Sequence, residues 1–118
     1  MFEISQRFYF DAAHTLHREI EAQGSKRVHG HTYHAEVFLQ GEPGEAGMVM
    51  DLGLVRQALQ AVREQLDHHY LDEVPGLGPA TLENLCLFIW RDLKLRLPAL
   101  SAVTVERHSI GDKCTYRP

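Results

Sequence analysis

The sequence predicts an α+β domain, an antiparallel four-stranded sheet with two helices on one face. Three observations lead there. Apolar residues alternate with polar ones in two stretches of the N-terminal half. The period then becomes helical, twice in succession. Two short strand-like stretches close the chain, so the order is ββααββ. A length of 118 residues suits one domain, 1–118.

Each element has its own signature. Phe2, Ile4, Phe8, Phe10 and Ala12 share even parity, against Glu3, Ser5, Arg7 and Asp11, with Gln6 and Tyr9 as exceptions. That is a half-buried strand. Residues 15–28 are mostly polar and read as a long loop. From His31 the alternation returns: Tyr33, Ala35, Val37 and Leu39 against Thr32, His34, Glu36 and Gln40, with Phe38 out of step. The turn signals of "GEPGEAG" end this second strand. Val55, Ala58, Leu59, Val62 and Leu66 then follow i, i+3, i+4 spacing behind Asp51, an N-cap residue type. "PGLGP" breaks the chain, and Thr81 caps a second helix with Leu82, Leu85, Cys86, Ile89 and Leu93 on one face. Pro98 stops it. "LSAVTVERH" and "KCTYRP" are the last strands. Four such strands do not close a barrel within one chain. Closure needs other subunits, which also covers the sheet edges.

Bulk properties exclude several classes. The net charge is −4 and no basic block occurs, so no nucleic-acid partner is expected. No apolar run approaches the roughly 18 residues of a membrane span, and no membrane partner is expected. The charged, alternating N-terminus does not read as a signal peptide. Cys86 and Cys114 make no disulfide framework, which points to a reduced, cytoplasmic setting. Cys86 sits on an apolar helical stripe and is expected in the core.

Eight histidines are many for this length, and seven fall in three groups: 14–17, 29–34 and 68–69. His29 and His31 stand two apart on a strand, so both rings face one way, roughly 6–7 Å apart at Cα. Gly30 between them permits close approach by another group. Both share parity with Tyr33, Ala35, Val37 and Leu39; His14 shares parity with Phe8, Phe10 and Ala12. If the first two strands pair antiparallel, three imidazoles converge at one sheet edge. Three neutral imidazoles suit Zn²⁺ with an open fourth position, able to polarise a carbonyl or acidify a bound hydroxyl. HxH on a strand also occurs without any metal, and His17 and His34 read as solvent-facing. In "LDHHYLDE", Asp67 beside His68 forms a carboxylate–imidazole pair suited to general base work; a polar helix C-terminus is the plainer reading. Glu106 is either a solvated strand carboxylate or, facing a pocket, an acceptor for a guanidine-like edge.

"FxFDAAHxL", "HGHTYHAEV", "GMVMDL", "LDHHYLDEVPGL", "TLENL", "LSAVTVER" and a late "TY" occur in this order over nearly the whole chain. The chain thereby resembles the 6-pyruvoyltetrahydropterin synthase family, and within it the bacterial 6-carboxytetrahydropterin synthase (QueD) branch. The resemblance implies a tunnelling fold (T-fold), its barrel closed by oligomerisation into a homohexamer of two stacked trimers. It implies Zn²⁺ on His14, His29 and His31, a proton relay of Asp67 and His68 at a subunit interface, and a pterin held by Glu106 with help from Thr81. The implied substrate is 7,8-dihydroneopterin triphosphate. The implied products are 6-carboxy-5,6,7,8-tetrahydropterin, acetaldehyde and triphosphate, for 7-deazaguanine and queuosine synthesis.

The chain departs from the family's pattern at its base. The family's catalytic Cys stands four residues before HGH, and Ser25 occupies that place, with no Cys anywhere from His14 to His29. A hydroxyl is a much poorer source of a nucleophilic or basic anion than a thiol. A subgroup with Glu just before HGH does not match either, because Lys26, Arg27 and Val28 stand there. Three readings stay open: an engineered Ser25 in place of Cys, a paralogue using another base such as His68 with Asp67, or a pterin-binding protein with little turnover. A pterin aldolase is the alternative reaction. Smaller departures are Leu52 for a usual Phe, Arg107 for a usual Thr, and an apparent insertion at "GDK".

Overall fold

The computed structural model describes residues 1–118. Strands β1 (Phe2–His14), β2 (His29–Gly41), β3 (Leu100–Arg107) and β4 (Asp112–Tyr116) form one antiparallel sheet in the order β1-β2-β3-β4. Three helices, α1 (Ala22–Lys26), α2 (Leu52–Leu66) and α3 (Leu82–Lys94), join two single 3-10 turns at Leu71–Glu73 and His108–Ile110. The ββααββ order holds for the long elements. The expected loop at 15–28 contains the extra helix α1. It is one turn long, too short to show a 3.6-residue apolar stripe, so periodicity does not reveal it. Strand β2 starts at His29, two residues before the alternation becomes visible.

The caps and stripes are as the sequence implies. The Asp51 carboxylate accepts from the Gly53 amide, and the Thr81 hydroxyl accepts from the Asn84 amide. Val55, Ala58, Leu59, Val62 and Leu66 are buried on α2; Leu82, Leu85, Cys86, Ile89 and Leu93 are buried on α3. They pack against Phe10, Tyr33, Val37, Leu39, Val103 and Val105 of the sheet. Each fully buried aliphatic side chain contributes about 1.5–3 kcal/mol.

The other sheet face is polar and has no helix over it. Ser5 donates to Glu36 (2.8 Å), Thr32 donates to Asp11, and the Thr104 and Thr115 hydroxyls meet at 3.0 Å. His34 is half-buried there against His108, ring centroids 3.8 Å apart, rather than freely solvated. Burial, and then the neighbouring His108, hold its pKa below the usual imidazole value. Strands β1 and β4 leave two open edges. The radius of gyration is 15.3 Å with extents of 55 × 23 × 22 Å, against about 13.5 Å for a compact chain of this length. The long β1–β2 hairpin accounts for the elongation. The sheet is that of a tunnelling fold left open in one protomer.

Candidate metal centre and substrate cavity

The β1–β2 register pairs His14 with His29 and Ala12 with His31. Antiparallel pairing thus brings the end of one strand beside the start of the next, and the three imidazoles meet. Their ring centroids lie 4.5, 4.8 and 4.9 Å apart. One ring nitrogen from each falls within 4.8 Å of the others.

Their hydrogen bonds fix which nitrogens face the centre. His14 Nδ1–H donates to the Ala80 carbonyl (2.9 Å), and His29 Nδ1–H donates to the Arg27 carbonyl (2.7 Å). A carbonyl only accepts, so each Nδ1 carries the proton and each neutral ring presents a bare Nε2 inward. Those two Nε2 atoms stand 2.9 Å apart, lone pair toward lone pair. His31 Nε2 is buried with no partner at all. A cation resolves both faults at once, and carbonyl-oriented imidazoles are the usual support of a metal ligand. The residues therefore fit a metal ion. Burial lowers the pKa of His14 below the usual imidazole value. It also lowers that of His31, to about 4, with the charges of His14 and Arg107 adding to the effect. Both rings are thus neutral and ready as ligands at pH 7. Beside them the Tyr33 phenol lies 3.3 Å from His14 Nδ1, and burial pushes its hydroxyl up to about 12.

Asp67 and His68 are joined as expected: His68 Nδ1–H donates to Asp67 Oδ2 at 2.8 Å. Asp67 Oδ1 accepts from the Asp11 amide at 2.9 Å, the largest cause of a carboxyl pKa held below the usual value. The His68 amide returns a bond to the Asp11 carbonyl at 2.7 Å, and the Ala13 amide donates to the His69 carbonyl. These bonds stitch "LDHHY" to the end of β1. His68 holds a left-handed backbone (φ 58°) and keeps its side chain 80% exposed. His31, Gly30, Asp11 and His68 line a common cavity of about 570 Å³. A Cβ on Gly30 would meet only the Ala12 carbonyl, at 3.5 Å, so no close approach within this chain demands glycine there.

A second cavity, about 630 Å³, is lined in part by Ala80, whose carbonyl holds His14. Thr15, Asp72, Ala80, Thr81 and Arg107 are among its lining residues. Sequence reasoning assigned no role to Asp72 or Arg107. Asp72 accepts from the Thr15 amide (3.0 Å), the Thr15 hydroxyl and the Tyr70 hydroxyl (3.1 Å). Burial opposes its charge, but the Thr15 bonds hold its pKa below the usual value.

Glu106 and Thr81 do not share this cavity within one protomer. Successive β3 residues point to opposite faces. Arg107 is buried and lines the cavity, whereas Glu106 lies 3.3 Å from His108. A joint role for Glu106 and Thr81 requires a second protomer. Ser25 is buried, and its carbonyl accepts from the Leu16 amide. Its hydroxyl is hydrogen-bonded to none of the three histidines.

Fold and site together define a tunnelling-fold protein whose sheet edge carries a three-imidazole centre of metal-binding type. The family model "6-pyruvoyl tetrahydropterin synthase" matches residues 3–118, and the chain belongs to that family. The chain is 34% identical to the 6-carboxy-5,6,7,8-tetrahydropterin synthase of Synechocystis, over 89% of this chain and 85% of that one. It is 33% identical to a dihydroneopterin monophosphate aldolase of Pyrococcus furiosus, over 80% of this chain and 77% of that one. The Caenorhabditis elegans 6-pyruvoyl tetrahydropterin synthase superposes with a TM-score of 0.86 at 27% identity, covering 99% of this chain and 95% of that one.

Proposed function

We propose that the protein is a zinc-dependent 6-carboxy-5,6,7,8-tetrahydropterin synthase-type lyase acting on 7,8-dihydroneopterin triphosphate, in the supply of 7-deazaguanine and queuosine. The observation that carries this reading is the pair of opposed bare nitrogens on His14 and His29 beside the unpartnered His31 Nε2. These three would hold Zn²⁺, which supplies Lewis acidity toward the hydroxyls of the pterin side chain and so acidifies the adjacent C–H. Asp67, ionised, holds the His68 Nδ1 proton and leaves Nε2 free to take or return a proton. Exposure of His68 suits a relay completed across a subunit boundary. Glu106 would accept paired hydrogen bonds from the amino-pyrimidine edge. Thr81 has its oxygen occupied by the helix cap and its hydroxyl proton left to donate.

A relative named as an aldolase supports a second reaction for the same substrate class. That reaction is cleavage of the side chain to a hydroxymethylpterin, and Ser25 in place of a thiol bears on turnover in either case. A protein that binds pterin with little turnover is the third outcome. The test is to incubate the protein, purified without chelator, with 7,8-dihydroneopterin triphosphate and identify the products. Carboxytetrahydropterin with acetaldehyde upholds the leading reading; hydroxymethylpterin replaces it with the aldolase; unchanged substrate that binds leaves only the binding protein. Absence of zinc in that preparation removes the metal assignment. Ser25→Cys is expected to raise turnover, and no gain takes residue 25 out of the mechanism.

A further inference from the structure

Arg107 stands in the wall of the 630 Å³ cavity with only 5% of its surface exposed. Nη2 donates to Asp112 Oδ2 at 3.1 Å, across the β3–β4 pair. Its Nε–H is buried with no acceptor. A guanidinium presents five donors in a fixed plane, and one carboxylate contact leaves it under-satisfied. Besides Asp112 only the Tyr33 hydroxyl stands beside the guanidinium, and Nε is still left without a partner. The carboxylate of Asp72 is already taken by Thr15 and Tyr70, and Glu83 is exposed at the rim.

Two further features place donors at the cavity, where the charges of Arg18 and Arg107 face those of Asp72 and Glu83. The N-terminus of the 13-residue α3 opens on it, with Leu82 and Glu83 among the lining residues. The Thr81 cap satisfies the Asn84 amide, and the first-turn amides of Leu82 and Glu83 have no carbonyl one turn back. Arg18 lines the same space, and its nearest carboxylate, Glu21, is 3.9 Å away. A cation on the imidazole trio would add two charges more.

We propose that Arg107 is a specificity-determining residue that receives an oxyanion of the ligand, a carboxylate or phosphate on the pterin side chain, at the α3 end of this cavity. The proposal rests on the pterin reading for the identity of the ligand, but not for the oxyanion chemistry itself. The plainer role for Arg107 is a cross-strand tie to Asp112, and the experiment separates the two.

The dissociation constants of three probes are measured by calorimetry on the zinc-loaded protein: neopterin, 6-carboxypterin and inorganic tripolyphosphate. A charged hydrogen-bonded contact predicts at least about 10-fold tighter binding of 6-carboxypterin than of neopterin. Arg107→Met is expected to erase that margin, or to weaken tripolyphosphate about 10-fold or more, and to leave neopterin unchanged. A loss confined to 6-carboxypterin assigns a carboxylate site; one confined to tripolyphosphate assigns a phosphate site. Equal loss for all three probes, or no loss, overturns the proposal. Asp112→Ala removes the tie and keeps the guanidinium, so it is expected to hold or strengthen oxyanion binding. If it reproduces Arg107→Met, the pair is structural and the proposal fails. Should Arg107→Met unfold, Arg107→Lys keeps the charge without the fork, and a loss of oxyanion affinity of at least several-fold is required of it. Tripolyphosphate binding through Arg107 with no pterin binding would sink the pterin reading alone. Pterin binding indifferent to Arg107 would sink the oxyanion site alone.

Discussion

His31 shows how a single residue carries both a liability and a function. Its Nε2 is buried without a partner, a cost of about 1–3 kcal/mol for a group of this kind. His31→Ala is expected to reduce bound zinc at least tenfold while circular dichroism stays native; full metal retention would exclude His31 as a ligand. The same burial gives the metal-free protein a pH signature. The folded state keeps His31 neutral down to about pH 4, whereas an unfolded chain takes up the proton near the ordinary imidazole value of 6.5. Between these values the unfolded state binds more protons, so stability present at neutral pH is lost as pH falls from about 6.5 to about 4. His14 shifts in the same direction. A melting temperature of chelated protein that stays flat across this window would contradict the assignment. Asp67→Asn tests the relay: turnover is expected to fall a hundredfold or more, with zinc content unchanged. A variant of normal rate makes the Asp67–His68 bond purely structural.

At the level of elements, two helix caps separate stability from substrate contact. Asp51 and Thr81 each satisfy a first-turn amide, and their removal costs about 1 kcal/mol apiece. Urea titration of Asp51→Ala and Thr81→Ala should therefore show similar losses. Only Thr81 lines the cavity, so only Thr81→Ala should also raise KM for the pterin. Equal KM values in the two variants would confine Thr81 to capping. The β1–β2 hairpin does the assembling. Its register alone sets His14 against His29, and a slip of one residue would turn the rings to opposite faces.

In the whole molecule, the open edges of β1 and β4, the polar uncovered face and the elongated shape leave the sheet open in one protomer. Glu106 lies on a different face from the cavity of Thr81, and His68 projects outward. A homohexamer would bring such residues from different copies into one site. Sedimentation at micromolar concentration should find an oligomer, and dilution should lower the melting temperature by mass action. A fully active monomer would contradict this reading of the fold.

Periodicity in the sequence was enough to determine the two N-terminal strands to within two residues, the two long helices and their buried stripes, while residue type marked the caps. These features repeat along the chain, and local sterics and burial read them directly. Parity also put His14, His29 and His31 on the apolar face, and the order of motifs pointed to the family. The one-turn helix holding Ser25 was invisible, because a single turn has no period. Only the tertiary structure decided that two imidazoles oppose bare nitrogens, since that depends on the Ala80 and Arg27 carbonyls behind them. Only packing made Arg107 a buried cation in a cavity wall. Its neighbours Thr15, Asp72 and Thr81 come from distant stretches of chain, and no spacing in one sequence encodes contacts that exist only once those stretches have folded together.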